Sequence, residues 1–264
     1  MKKALLVISF GTSYPETRKN NIEACEQQLA SVFPDRELFR AFTSGMIIRK
    51  LRERDGIHID TPHEALTRLH HAGYHDVAVQ CLHIIKGDEY EKVLHEVERF
   101  RPRFQRLVLG APLLSHFEDY LQLMRALHHQ LPRLGDKECV VFMGHGTTHP
   151  AFSAYACLDH LMTHYHFPAR VGAVESYPEI ALIIKGLKAE GIRKVHLMPL
   201  MLVAGDHAIN DMASGESGSW KSQLEKAGMT AIPWLQGLGE NPMIRQMFVA
   251  HLADAMNEKV GEGV

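Results

Sequence analysis

The chain carries one pattern twice, and that constrains its fold more than any other feature. Leu5–Pro15 (LLVISFGTSYP) aligns with Val140–Pro150 (VVFMGHGTTHP); both are short apolar runs that close on Gly-Thr and then proline. Arg40–Ser44 (RAFTS) aligns with Gly172–Ser176 (GAVES), and Gly73–Glu89 with Gly191–His207. The three matches come in the same order with similar separations, which is the signature of one structural unit built twice. A chain of 264 residues has room for one large domain or two modest ones. The repeat favours two: an N-terminal half over 1–134 and a C-terminal half over 135–264, joined near 132–137 (PRLGDK).

Hydropathy gives the class of each half. The runs at 4–10, 77–85, 139–144 and 195–204 are nearly continuous apolar stretches, as in strands covered on both faces of a parallel sheet. Helical patterns lie between them. Residues 16–32 space Ile22, Cys25, Leu29 and Val32 along one face. Thr61-Pro62-His63-Glu64 is a capping box with proline at the first helical position, and Gly73 closes that helix. Pro178 to Gly191 repeats the design, and 213–219 (ASGESGS) reads as a surface loop. The expectation is an α/β protein of two similar halves, each a parallel sheet flanked by helices.

Ligands of parallel α/β sheets bind at the carboxyl ends of strands, and all three paired motifs end there. The diverged positions are therefore informative. Phe10 corresponds to His145, Thr43 to Glu175 and Glu89 to His207. The second half thus gathers two imidazoles and a carboxylate, a donor set suited to Co²⁺, Fe²⁺, Ni²⁺ or Zn²⁺. Each Gly-Thr step (Gly11-Thr12, then Ser13; Gly146-Thr147) offers backbone N–H groups and hydroxyls to a carboxylate or phosphate. Other readings stay open for these residues. His145 also suits a helix cap, His207 a helix start, and Glu175 and Glu89 a helix N-terminus.

The remaining histidines of the 18 are less telling. His160 and His164 have the spacing of a zincin helix, but Leu161 stands where the general base belongs. His70-His71 and His128-His129 are adjacent pairs whose side chains point apart on a helix. Met198, Met201 and Met212 read as core, with soft padding beside a flat apolar ligand as the alternative. Cys25, Cys81, Cys139 and Cys157 have no CxxC spacing and read as buried reduced thiols. There is no GxSxG, GxxxxGK[ST] or GxGxxG after a strand, which leaves hydrolase, P-loop and dinucleotide chemistry unsupported. A net charge of -2 argues against a nucleic-acid partner. The apolar run of MKKALLVISF is too short for a signal peptide, and no segment reaches the length of a membrane span. A cytoplasmic protein without a membrane association is expected.

These residues, together with LFRAFTSGMIIRKL, GDEYEKV, YACLDH, ARVGAVESYPE, LMPLMLVAGDHAINDM and GLGENP, resemble the sirohydrochlorin cobaltochelatases of the anaerobic cobalamin pathway. Those enzymes fall within the class II chelatase superfamily, which also contains ferrochelatase. The resemblance spans essentially the whole chain. It implies a tetrapyrrole bound in a cleft between the halves, with His145, Glu175 and His207 contacting Co²⁺ and Glu89 assisting from the opposite wall. It also implies insertion of Co²⁺ with release of two protons, His145 being the principal acceptor. No tightly bound cofactor is expected; the partners are sirohydrochlorin and the substrate ion, Co²⁺ or alternatively Fe²⁺ or another divalent ion. Phe10, Gly11, Thr12, Ser13, Glu89, Gly146 and Thr147 are the expected substrate-binding positions, with Arg40 or Lys86 as further carboxylate partners. Sirohaem formation with Fe²⁺ and non-catalytic metal or tetrapyrrole binding remain alternatives. A homo-oligomer is compatible with the sequence.

Overall fold

The apolar runs form the centres of two separate parallel sheets. The computed structural model describes residues 2–257. In the first sheet β1 (Lys2–Ser9) lies between β2 (Glu37–Phe42) and β3 (Tyr74–Cys81), and β4 (Arg106–Gly110) completes the order β2-β1-β3-β4. Every residue of β1 from Ala4 to Ser9 is buried, because a central parallel strand is covered on both faces. Helices α1 (Pro15–Thr17), α2 (Ala24–Val32), α3 (Gly45–Asp55), α4 (Pro62–His71) and α5 (Asp88–Phe100) connect and flank these strands. Leu6, Ile8, Val77 and Val79 pack with Leu66, Leu69, Val93, Val97 and Phe100 into one core.

The second sheet has the same plan. β5 (Glu138–Gly144) is central, flanked by β6 (Ala169–Ala173) and β7 (Lys194–Pro199), with β8 (Thr230–Pro233) outermost, in the order β6-β5-β7-β8. After α6 (Phe117–His128), the helices α7 (Ser153–His164), α8 (Ile180–Ala189) and α9 (Trp220–Lys226) flank it. Its core gathers Val141, Met143, Val195 and Leu197 with Ile183, Leu187, Met212, Trp220 and Leu224. Met201 packs on that core and Met198 is buried, so the methionine cluster is core as expected.

Several local expectations hold. The Thr61–Glu64 capping box is formed in both directions. The helix expected over 16–32 runs over 15–32, interrupted by a π-helical stretch at Arg18–Glu23. Others need correction. β3 ends at Cys81 and β7 at Pro199, yet Leu82, Ile85, Leu200 and Leu202 are buried beyond them. Buried loop residues share the hydropathy of strand residues, so the apolar runs overshoot the paired segments. The Thr61 cap is not repeated: α8 opens at Ile180 behind Glu179, which makes no side-chain cap bond. Cys157 is exposed, unlike the other three cysteines.

The chain separates into two compact units, one running to Asp119 and resuming at Pro242, the other Tyr120–Asn241. This differs from a cut between 134 and 135. The last helix, α10 (Pro242–Asn257), packs on α2, β3 and β4 of the first unit. It buries Ile244, Met247, Phe248, Val249 and Leu252. His251 fastens it there, with Nε2 2.9 Å from Asp119 Oδ1 and Nδ1 3.2 Å from the Ala111 carbonyl.

Candidate active site

The carboxyl edge of the second sheet is built by extending its ladder. Beyond the β5–β6 pairing, Val174 N–H donates to Gly144 O and Glu175 N–H to His145 O, each at 3.0 Å. This lays Glu175 beside His145. Gly146 makes the turn possible: its φ is +89°, and a Cβ there would stand 2.9 Å from the Glu175 nitrogen and 2.8 Å from Ser176 Oγ. Gly11 holds the duplicate place in the first half with φ +98°, its missing Cβ leaving room for the Phe42 ring.

His207 arrives from the loop after β7, at the head of a π-helical turn over Ala208–Met212. Such turns are frequent at functional sites. The His145 and His207 rings meet edge to face with centroids 4.4 Å apart. One ligand atom from each of His145, Glu175 and His207 lies within 4.8 Å of the others; no other such cluster occurs among the described residues. Ligands at about 2.1 Å around a tetrahedral ion stand about 3.4 Å apart, so gripping one takes a closure of at most about 1.4 Å between any two of them. The side chains remain 32–53% exposed, open enough for an ion to enter and leave.

Hydrogen bonds orient the two rings. His207 Nδ1 is 2.6 Å from Asp211 Oδ2, and His145 Nδ1 is 3.1 Å from the Gly146 carbonyl. The Asp211 contact engages Nδ1 of His207 and makes Nε2 its natural metal donor, whereas His145 Nδ1 also stands 3.6 Å from Glu175 Oε2. Asp211 was not anticipated, although its i,i+4 spacing from His207 is visible in AGDHAIND.

The first sheet's edge carries the other expected residues. Phe10 follows β1 and is 40% exposed, and Met46, at the start of α3, is 66% exposed. Thr12 and Ser13 are buried. Thr12 Oγ1 accepts from Tyr14 N–H at 3.3 Å, and Thr147 Oγ1 accepts from His149 N–H at 3.0 Å, the same local turn in both halves. The cradle hydroxyls therefore first brace their own loops. Glu89 lies in the first turn of α5, half-buried, with Lys92 bonded to Oε1. Burial pushes its carboxyl up, but the Lys92 ammonium bonded to it and the nearby Thr43 hydroxyl outweigh that and hold it below the usual range.

Two expectations are corrected. The register pairs Ser9 with Phe42 and Gly144 with Ala173. Glu175 is thus the counterpart of Ser44, the cap of α3, and not of Thr43. Arg40 is taken by Glu26 at 2.5 and 2.7 Å, which removes it as a substrate partner. The decoy histidines are exposed: His160 and His164 stack without a third ligand, and the adjacent pairs sit at helix ends.

The fold is thus two four-stranded parallel sheets flanked by helices and built to one plan. A solved structure, SirB from Bacillus subtilis with Fe³⁺, matches it with TM-score 0.62 at 14% identity, covering 97% of this chain and 96% of that one. The family model for cobalt chelatase (CbiK) matches residues 3–257, and the chain belongs to that family. A sirohydrochlorin cobaltochelatase of Salmonella typhimurium is 66% identical over 262 residues, covering 99% of each chain. Sirohydrochlorin cobaltochelatase CbiKC of Nitratidesulfovibrio vulgaris is 35% identical, covering 97% of this chain and 91% of its own.

Proposed function

We propose that this protein inserts Co²⁺ into sirohydrochlorin, releasing two protons, as a step of cobalamin biosynthesis. The observation that carries the reading is the convergence of His145, Glu175 and His207 on one point, in a chain two-thirds identical to a cobaltochelatase. The three residues hold the ion loosely, through one nitrogen of each imidazole and one carboxylate oxygen. No thiolate takes part, so the ion is delivered and not retained. As each pyrrole nitrogen binds the metal, its N–H bond breaks. His145, freed when the ion transfers, is a neutral imidazole suited to take one proton. Glu89 takes the other: it is ionised at neutral pH, and Oε2, the oxygen that Lys92 does not bond, is the one that accepts.

Phe10 and Met46 offer apolar surface to the flat macrocycle, and the loops at Gly11–Ser13 and Gly146–Thr147 are assigned to its carboxylates. No helix among the described residues is long and apolar enough to cross a membrane. The test is the visible spectrum of sirohydrochlorin mixed with Co²⁺ and protein. His145→Ala should abolish the protein-dependent rate while leaving the melting temperature unchanged. Full activity in that variant refutes the assignment. Rates with Fe²⁺ at matched free concentration establish which ion is preferred.

A further inference from the structure

Among the described residues, His83 is the one histidine whose two ring nitrogens are both buried and unpartnered. It stands two residues past β3. The buried histidines His196 and His251 differ. His196 meets Glu138 through Nε2 and Trp234 through Nδ1, and His251 engages both nitrogens likewise. Buried polar groups without partners are uncommon, and each calls for an explanation, such as strain, a catalytic role or a bound water or ion.

The duplication supplies a control. Cys81 pairs with Ile8 as Pro199 pairs with Met143, so two residues on, His83 corresponds to Met201. Their backbones are held alike: the His83 carbonyl accepts from Leu113 N–H and the Met201 carbonyl from Leu238 N–H, each at 2.9 Å. The fold thus accepts an apolar side chain at this position, and the imidazole needs another explanation. The charged groups acting on the ring are Glu89, which favours its cationic form, and Lys92, which opposes it. Glu89 Oε2, the oxygen that Lys92 does not use, is likewise buried and unpartnered.

We propose that His83 is a positioning residue for proton traffic through Glu89, linked to its Oε2 by one bridging water. The inference rests on the reading of Glu89 as a proton acceptor. A pyrrole N–H bond breaks and an Oε2–H bond forms. That proton then passes through the water to His83, restoring the carboxylate, and the imidazolium releases it to solvent. Burial draws the ring's pKa down to about 4, so His83 starts neutral and holds the proton only briefly.

The test compares insertion rates of wild type, His83→Asn, His83→Gln, Glu89→Gln and the Glu89→Gln/His83→Asn double variant between pH 6 and 9. The His83 variants should lose about tenfold in kcat, less than the roughly 100- to 10,000-fold of a direct general acid or base, because His83 acts through Glu89. Their KM for sirohydrochlorin, Co²⁺ binding and melting temperature should stay unchanged, and added imidazole buffer should restore rate. The double variant should be no slower than Glu89→Gln alone. A slow Glu89→Gln with both His83 variants at wild-type rate overturns the role of His83 and leaves that of Glu89. Glu89→Gln at wild-type rate overturns the Glu89 reading and the relay with it. Additive losses with raised KM also overturn the relay.

Discussion

Removing the Asp211 carboxylate should weaken Co²⁺ binding without touching a metal ligand. The Asp211 Oδ2 to His207 Nδ1 contact of 2.6 Å is a charge-assisted hydrogen bond. It keeps the proton on Nδ1 and aims Nε2 at the ion. Loss of such outer partners typically costs about 10–100-fold in metal affinity. Asp211 is 47% exposed, so solvent screens its charge and the lower figure applies. Asp211→Ala should therefore raise the Co²⁺ dissociation constant about tenfold, which is about 1.4 kcal/mol. Asp211→Asn should lose less, because its amide oxygen still accepts from Nδ1–H but carries no charge. Titration of the protein with Co²⁺, followed by its visible absorption, measures both. An Asp211→Ala constant within twofold of wild type refutes the positioning role. A loss well beyond 100-fold refutes it the other way, by making Asp211 a ligand.

Further outcomes follow from the same geometry. Gly146→Ala should lower stability by about 1–2 kcal/mol from its positive φ. Because the new Cβ displaces Glu175, Co²⁺ affinity should fall as well; an unchanged titration contradicts the close approach. Asp76→Ala strands Arg36, which is 2% exposed and paired at 2.9 Å, and should cost about 3 kcal/mol or more in a urea melt. A loss below 1 kcal/mol refutes the burial argument. His83 ties stability to acidity. Its folded pKa of about 4 lies below the ordinary 6.5, so the unfolded chain binds the proton more readily. Stability is full above pH 6.5 and falls as pH drops toward 4; His83→Asn should flatten that slope, and an identical slope contradicts it.

Much of this was legible in the sequence because duplication turns unlike residues into signals. Phe10 against His145, and Glu89 against His207, mark the strand ends where the two halves diverge. The alignment erred by one residue at Glu175, since RAFTS and GAVES share Ala and Ser in the register that the ladder does not adopt. β4 and β8 escaped notice because five- and four-residue outer strands leave too short a hydropathic trace. The attachment of α10 was unreadable for a different reason. An apolar helix face states that it is buried, not which sheet buries it. His83 lay beyond reach because nothing in GYHDVAVQCLHIIKGDE distinguishes an unpartnered ring from an exposed one. Asp211, by contrast, was readable from its spacing.

The central claim is that two imidazoles and one carboxylate of the second half receive the ion before the macrocycle does. X-ray absorption at the cobalt edge, on protein loaded with one equivalent of Co²⁺ and no tetrapyrrole, tests it most directly. The account predicts scattering from two imidazoles with nitrogens at about 2.0–2.1 Å, the rest oxygen, falling to one imidazole in His145→Ala. A spectrum without imidazole scattering, or one unchanged by His145→Ala and His207→Ala alike, would contradict it.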